Sequence, residues 1–113
     1  MKRSIIVTWT QEGFHCWPEA PTNRSYLADQ HRHQFHYRAG VEVEHNDREV
    51  EFHDMLDELR ACTQAVGTQL GRVSCEDLAQ IVLTAIEAAW PGRNRWCEVF
   101  EDGEVGARLE MSY

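Results

Sequence analysis

The sequence predicts an α+β fold, an antiparallel four-stranded sheet with two helices on one face, in the order ββααββ. Three observations predict it. Two segments in the first half alternate polar and apolar residues, as strands do, and two later segments repeat apolar residues at helical spacing. The pattern at the C-terminal end predicts a hairpin. With 113 residues, 42% of them apolar and 27% charged, the chain is predicted to form one domain over residues 1–113.

The two N-terminal strands are predicted from their alternating side chains. The first covers Ser4 to His15, with Ile5, Val7 and Trp9 at odd positions. The second starts at His31 and continues to Val43, with one apolar face and one polar face. Residues 16–30 are predicted to form a loop from the pairs Trp17-Pro18, Ala20-Pro21 and Thr22-Asn23, and a loop of this length in a small domain is usually functional.

Two helices follow, each with an apolar stripe. The first is predicted from about Glu51, and its stripe ends where Gly67 and Gly71 interrupt the pattern. The second is predicted to begin after Ser74, the N-cap of a capping box with Asp77, and to stop at Pro91-Gly92.

The C-terminal segment is predicted to be a β-hairpin. Arg95 to Glu101 is rich in apolar residues, and Val105 to Met111 alternates apolar and polar side chains. Asp102-Gly103 between them predicts a two-residue hairpin turn.

Composition excludes several functional classes. The formal charge of −8 argues against a nucleic-acid partner, because no large Lys/Arg face is available to contact phosphates. No apolar run reaches the 18 or more residues of a membrane helix, and polar residues interrupt the N-terminal segment before a signal peptide could form. The protein is therefore expected to be cytoplasmic. The cysteines at 16, 62, 75 and 97 form no C-x-x-C pair and are predicted to be reduced and mostly buried.

The histidines suggest a metal site, since all six lie within residues 15–53. His31 and His33 leave the same face of a strand with Cα atoms roughly 6.5–7 Å apart, so both rings can reach one ion. His15 ends the neighbouring strand at the matching parity. Three neutral imidazoles with an open fourth position are typical of catalytic zinc. The remaining histidines are expected to be solvated or structural: His36, His45 and His53.

Five short stretches resemble a known family. They are Phe14-His15, His31-Arg32-His33-Gln34-Phe35, Val50-Glu51-Phe52, Ser74-x-x-Asp77-Leu78-Ala79 and Val99-x-Glu101. Together they resemble the 6-pyruvoyltetrahydropterin synthase / 6-carboxytetrahydropterin synthase family of the tunnelling fold. The resemblance covers nearly the whole chain, and its most specific part is the three-histidine pattern.

The resemblance implies a ligand set and an assembly. Zinc would be held by His15, His31 and His33, with Arg32 standing where the family has glycine. Glu101 would anchor a pterin or purine-like ring by accepting hydrogen bonds from its amidine edge. Three subunits would join their sheets into a barrel, so a homo-oligomer, either a trimer or a hexamer, is expected.

The chain departs from the family in its acid–base residues. Leu27 occupies the position of the family's catalytic cysteine, and residues 60–74 lack the family's Asp-His pair. Cys75, Glu76 and Asp29 are the candidate replacements by their place in the sequence. Cys16 follows His15 directly, and strand alternation predicts that it points to the opposite face.

Other side chains are candidate substrate contacts. Arg24 and Arg32 could bind an anionic group such as a phosphate or carboxylate. Trp17, Tyr26 and Phe35 could stack on a heterocycle, although core packing explains Phe35 at least as well.

Three functions are consistent with these patterns. The favoured one is a divergent zinc-dependent lyase of pterin or deazapurine (queuosine-type) biosynthesis, acting on a substrate such as dihydroneopterin triphosphate. The alternative is a non-catalytic protein that holds or sequesters a pterin or purine-like nucleotide. In the third, zinc only ties two strands together and the function lies in an unseen partner.

Overall fold

The protein is a mixed α+β domain whose five-stranded sheet carries both α-helices on one face. The computed structural model describes residues 1–113. Its elements, in chain order, are β1 (Arg3–His15), a 3-10 helix (Thr22–Leu27), β2 (His31–Val43), α1 (Phe52–Val66), β3 (Gln69–Gly71), α2 (Cys75–Ala89), β4 (Arg95–Glu101) and β5 (Val105–Met111).

The strands lie in the order β3-β1-β2-β4-β5, and all pairs are antiparallel except β1 with β3. The long β1–β2 pairing runs from Arg3 opposite Val43 to His15 opposite His31. This register places His15 and His31 side by side at one end of the sheet. The alternation of the sequence alone already placed both residues on the same face.

The expectation of four strands was wrong by one, because β3 adds a short fifth strand beside the end of β1. The backbone amide of Phe14 donates to the carbonyl of Thr68 at 2.8 Å, and that of Cys16 donates to the carbonyl of Gly71 at 2.8 Å. Three residues are too few to show a strand-like alternation. The segment forms a strand because it satisfies backbone groups at the edge of β1.

The core lies between the sheet and the two helices. Alternate residues of β1, β2 and β4 are buried against side chains such as Met55 and Leu59 of α1 and Ile86 of α2, which are fully buried. Trp9 and Tyr37 stack across the β1–β2 pair with ring centroids 4.9 Å apart. The helices thus cover the face that bears the odd-numbered side chains of β1 and β2.

The ends of α2 are those expected from the sequence. The Ser74 hydroxyl accepts from the amide of Asp77, and the Asp77 carboxylate accepts from the amide of Ser74, both at 3.1 Å. The helix ends at Ala89, before Pro91-Gly92. No helix is long and apolar enough to cross a membrane.

The turn between β4 and β5 is longer than predicted. Glu101 pairs with Val105, so three residues connect the strands rather than the two predicted from Asp102-Gly103. Asp102 and Gly103 both have positive φ, 54° and 73°. Asp102 accepts this conformation because its backbone amide and side chain are both bonded to β2, as described below.

All four cysteines are free thiols. Cys75 and Cys97 are buried, whereas Cys16 and Cys62 are half-buried, so the expectation of mostly buried thiols holds for two of them.

Candidate metal centre

Four side chains converge at the end of the sheet where β1 stops and β2 begins. His15 comes from the last position of β1, His31 and His33 from the start of β2, and Glu101 from the end of β4. One ligand atom from each lies within 4.8 Å of those of the other three. The cluster therefore contains the three histidines predicted from the sequence, together with the glutamate that the resemblance placed at a substrate.

The Nδ1 atom of each histidine is hydrogen-bonded to an acceptor outside the cluster. His15 Nδ1 lies 2.9 Å from the carbonyl of Val73, and His31 Nδ1 lies 2.8 Å from the carbonyl of Asp29. His33 Nδ1 lies 2.7 Å from a carboxylate oxygen of Asp102. Because these acceptors require an N–H donor, Nδ1 carries the proton in all three rings. In the neutral rings Nε2 is then the lone-pair nitrogen, as in metal-binding histidines.

The remaining ring nitrogens face a carboxylate instead of a donor. Nε2 of His15 lies 2.9 Å from Oε2 of Glu101, and Nε2 of His33 lies 3.3 Å from the same oxygen. Nε2 of His33 is buried and makes no hydrogen bond. The lone pair of a neutral ring and a carboxylate repel one another unless a proton or a metal ion lies between them.

The donor set fits a divalent metal ion. Ligands about 2.0–2.1 Å from a tetrahedral zinc are separated from each other by roughly 3.3 Å, close to the shorter separations in this cluster. Imidazole and carboxylate ligands suit zinc and also other first-row divalent ions. The unpartnered Nε2 of His33 is the observation that argues most directly for a cation.

Packing beneath the cluster holds the histidine rings in place. Phe35 is almost fully buried, and its ring contacts those of His15 and His33 edge to face, with centroids 5.2 and 5.7 Å away. Gly13 makes room for this arrangement. A Cβ atom there would lie 2.7 Å from Leu70 and 2.9 Å from Phe35, so a larger residue would displace the ring that supports the histidines.

Asp102 is a site residue that the sequence analysis missed. Its second carboxylate oxygen accepts from the backbone amide of Gln34 at 2.9 Å, and its own amide donates to the carbonyl of Gln34 at 2.8 Å. The amide of Gln34 and the ring of His33 together lower the pKa of Asp102, which stays ionised. The only signal for it in the sequence is its place directly after Glu101, where Asp102-Gly103 predicts a turn.

The cluster opens into a cavity of about 530 Å³. His15 and Glu101 form part of its wall. The other lining residues are Cys16, Trp17, Leu27, Arg72, Val73, Ser74, Cys75, Glu76, Val105 and Gly106. Half of the lining residues are apolar, and two members of the metal cluster, His15 and Glu101, are among the polar ones, a mixture that is common in sites that bind small molecules.

Two of the three candidate acid–base residues lie in this cavity wall, Cys75 and Glu76. Burial, followed by the charges of Glu101 and Glu76, raises the pKa of Cys75 to about 12, so its thiol is protonated at neutral pH. The third candidate, Asp29, contributes its backbone carbonyl to His31. Leu27, which the resemblance aligned with a catalytic cysteine, lies in the same wall.

The two arginines proposed as anion contacts lie outside the cavity wall. Arg32 is on the opposite face of β2 and donates to Glu12 at 2.8 Å. Arg24 is exposed on the 3-10 helix and donates to the carbonyl of Asn23. A different arginine, Arg72, lines the cavity and pairs with Glu19.

The position of Cys16 differs from the one that strand alternation predicts. It lies in the wall of the cavity that includes His15, not on the opposite face, because β1 ends at His15 and its pairing is irregular there. Trp17 also lines the cavity, whereas Tyr26 is exposed and outside it. The three histidines expected to be solvated or structural lie outside the metal cluster and are exposed: His36, His45 and His53.

Comparisons with known proteins do not assign the chain to a family. No protein-family model and no curated protein sequence matches it. The chemistry of the site is therefore interpreted from the residues that form it.

Proposed function

We propose that this protein is a divergent zinc-dependent synthase of the 6-pyruvoyl/6-carboxytetrahydropterin type, with the tunnelling fold. Its substrate would be a pterin or purine-like compound such as dihydroneopterin triphosphate. One observation supports this most: three imidazole nitrogens, each in a ring whose other nitrogen is already hydrogen-bonded, converge beside a cavity of about 530 Å³. A metal that merely ties two strands together needs no such cavity.

The chain's own residues would divide the work of binding. His15, His31 and His33 would hold the metal, and zinc bound there would polarise a carbonyl or hydroxyl oxygen of the substrate. The Glu101 carboxylate could accept two parallel N–H bonds from the amidine edge of a ring. Trp17, in the cavity wall, offers an aromatic face for stacking.

A second candidate function is a binding protein that holds the same class of heterocycle without turnover. Proton transfer beside a polarised carbonyl needs positioned acid–base groups. Leu27 cannot transfer a proton, and the raised pKa of Cys75, about 12, disfavours the thiolate. Glu76 is then the one candidate in the cavity wall that could act as a base. Its side chain is exposed, and exposure alone does not fix the orientation of its carboxylate.

Assembly into a homo-oligomer is part of the proposal, because the sheet has two open edges. β3 covers only the end of the 13-residue β1, and β5 has no neighbour on its outer side. The radius of gyration, 15.1 Å, exceeds the roughly 13 Å of a compact chain of this size. Closing the sheets of several subunits into a barrel would cover these edges. We propose that this assembly acts in the cytoplasm, as the composition predicts.

The test starts from purified protein loaded with zinc and quantified by elemental mass spectrometry. We expect about one zinc per chain, and zinc-dependent consumption of dihydroneopterin triphosphate followed by chromatography. His31→Ala should lose both, whereas His36→Ala, an exposed histidine outside the cluster, should retain both.

Two other results have distinct meanings. Stoichiometric binding of the compound, recovered unchanged, would replace the enzyme with the binding protein. A protein that takes up no zinc would contradict the zinc-dependent enzyme and leave the binding protein, to be tested by a search for co-purifying ligands.

A further inference from the structure

We propose that Glu101 is the fourth protein ligand of the metal, so that the resting site is closed by three imidazoles and one carboxylate. A small ligand would reach the metal only after this carboxylate moves into the cavity. The inference rests on the metal site of the proposed function. It differs from the sequence analysis, which expected an open fourth position and a glutamate reserved for the substrate ring.

The contacts of Glu101 carry the inference. Oε2 lies 2.9 Å from Nε2 of His15 and 3.3 Å from Nε2 of His33, and the carboxylate makes no contact with an arginine or lysine. In the neutral rings both of these nitrogens are lone-pair atoms, since the Nδ1 atoms donate to the carbonyl of Val73 and the carboxylate of Asp102. Oε2 of Glu101 therefore lies next to two of the nitrogens that would bind the metal, which is the position expected of a fourth ligand.

The backbone holds Glu101 at this position while its side chain is free to move. Glu101 pairs with Phe35 of β2, and the next residue, Asp102, is bonded to Gln34 through both its amide and its carboxylate. The end of β4 is thus fixed relative to the histidines on β2. The Glu101 side chain is 22% exposed and lines the cavity, so rotation about its side-chain bonds would move the carboxylate away from the metal.

The consequence is a competition between Glu101 and any ligand that coordinates the metal. If the carboxylate is coordinated nine-tenths of the time, the apparent Kd of an external ligand rises about tenfold, because only the open fraction binds. Removing Glu101 should therefore tighten the binding of a simple anion to the metal. A site with three protein ligands would bind that anion equally well with or without Glu101.

The test uses the full chain loaded with Co²⁺, whose visible absorption bands report the ligands of the ion, and thiocyanate as the external ligand. We expect Glu101→Ala to shift the bands and to lower the Kd for thiocyanate about tenfold relative to the unmutated protein. Glu76→Ala is the matched control. It removes a carboxylate from the same cavity without removing a ligand, and it should leave the bands unchanged.

Equal thiocyanate affinity and identical bands in the unmutated protein and Glu101→Ala would overturn the inference. A similar gain in affinity in Glu76→Ala would also overturn it, because the effect would then be one of general charge. If Glu101→Ala does not fold, Glu101→Gln serves, since an amide oxygen is a weaker ligand and should give the same change to a smaller degree.

These outcomes separate the inference from the proposed function. An open site that takes up cobalt through the three histidines would remove the role of Glu101 as a ligand and leave the metal-dependent function intact. Failure of the unmutated protein to take up cobalt or zinc would contradict the proposed function and the inference together.

Discussion

Replacing Asp102 with asparagine should weaken metal binding through His33 without disturbing the fold. The carboxylate accepts two N–H groups, Nδ1 of His33 at 2.7 Å and the amide of Gln34 at 2.9 Å. Asparagine has one carbonyl oxygen, so one of these donors would face an NH₂ group. The left-handed backbone at this position, φ 54°, is one that asparagine tolerates as well as aspartate does.

The magnitude follows from the bond that is lost. Loss of a residue that orients a metal-binding histidine typically lowers metal affinity about 10–100-fold. We expect a loss in this range for Asp102→Asn. His33 would keep its place on β2, but its ring would no longer be held with Nδ1 protonated and Nε2 facing the metal.

The assay is a zinc competition titration against a chromophoric chelator, with thermal unfolding of the metal-free proteins measured in parallel. Glu104→Gln is the control, because it removes an exposed carboxylate from the same turn. Asp102→Asn with a zinc affinity within about twofold of the unmutated protein would refute the role of Asp102 in orienting His33. An equal loss in Glu104→Gln would refute it too, by attributing the effect to net charge.

Three further predictions concern stability. Zinc at 100 times its Kd should stabilise the unmutated protein by about 2.7 kcal/mol, because it binds only the folded chain, and calorimetry should show no such gain in His31→Ala. Leu59→Ala should lower the free energy of unfolding by about 2–5 kcal/mol, because this side chain is fully buried; half-buried Leu56→Ala should lose clearly less in urea denaturation. Burial raises the pKa of Cys97 to about 12. The free energy of unfolding is therefore retained below the ordinary thiol pKa and falls above it by up to about 1.4 kcal/mol per pH unit. Urea midpoints at pH 8 and pH 10 should show this fall, and Cys97→Ala should reduce it.

Local pattern was sufficient to predict the long strands and the histidine face. Side chains alternate along any strand, so the parity of His31 and His33 follows from the sequence wherever the strand lies in the sheet. The capping box at Ser74 is equally local, since all of its hydrogen bonds lie within four residues. These features were predicted correctly because they depend on neighbours along the chain.

Contacts between segments that are distant in the chain could not be predicted from the sequence. β3 forms because its backbone meets the end of β1, and nothing within Gln69–Gly71 alternates enough to indicate a strand. Cys16 lies in the cavity because the pairing of β1 becomes irregular at its end.

The metal cluster divides in the same way. The sequence by itself determined the three imidazoles, because spacing and parity put them on one face. For His15 and His33, only the tertiary structure decided which nitrogen the ring presents, because the groups that bind them at Nδ1, Val73 and Asp102, are 58 and 69 residues away in the chain. The position of the Glu101 carboxylate against two of the rings depends likewise on the register between β2 and β4, which is set by packing over the whole sheet.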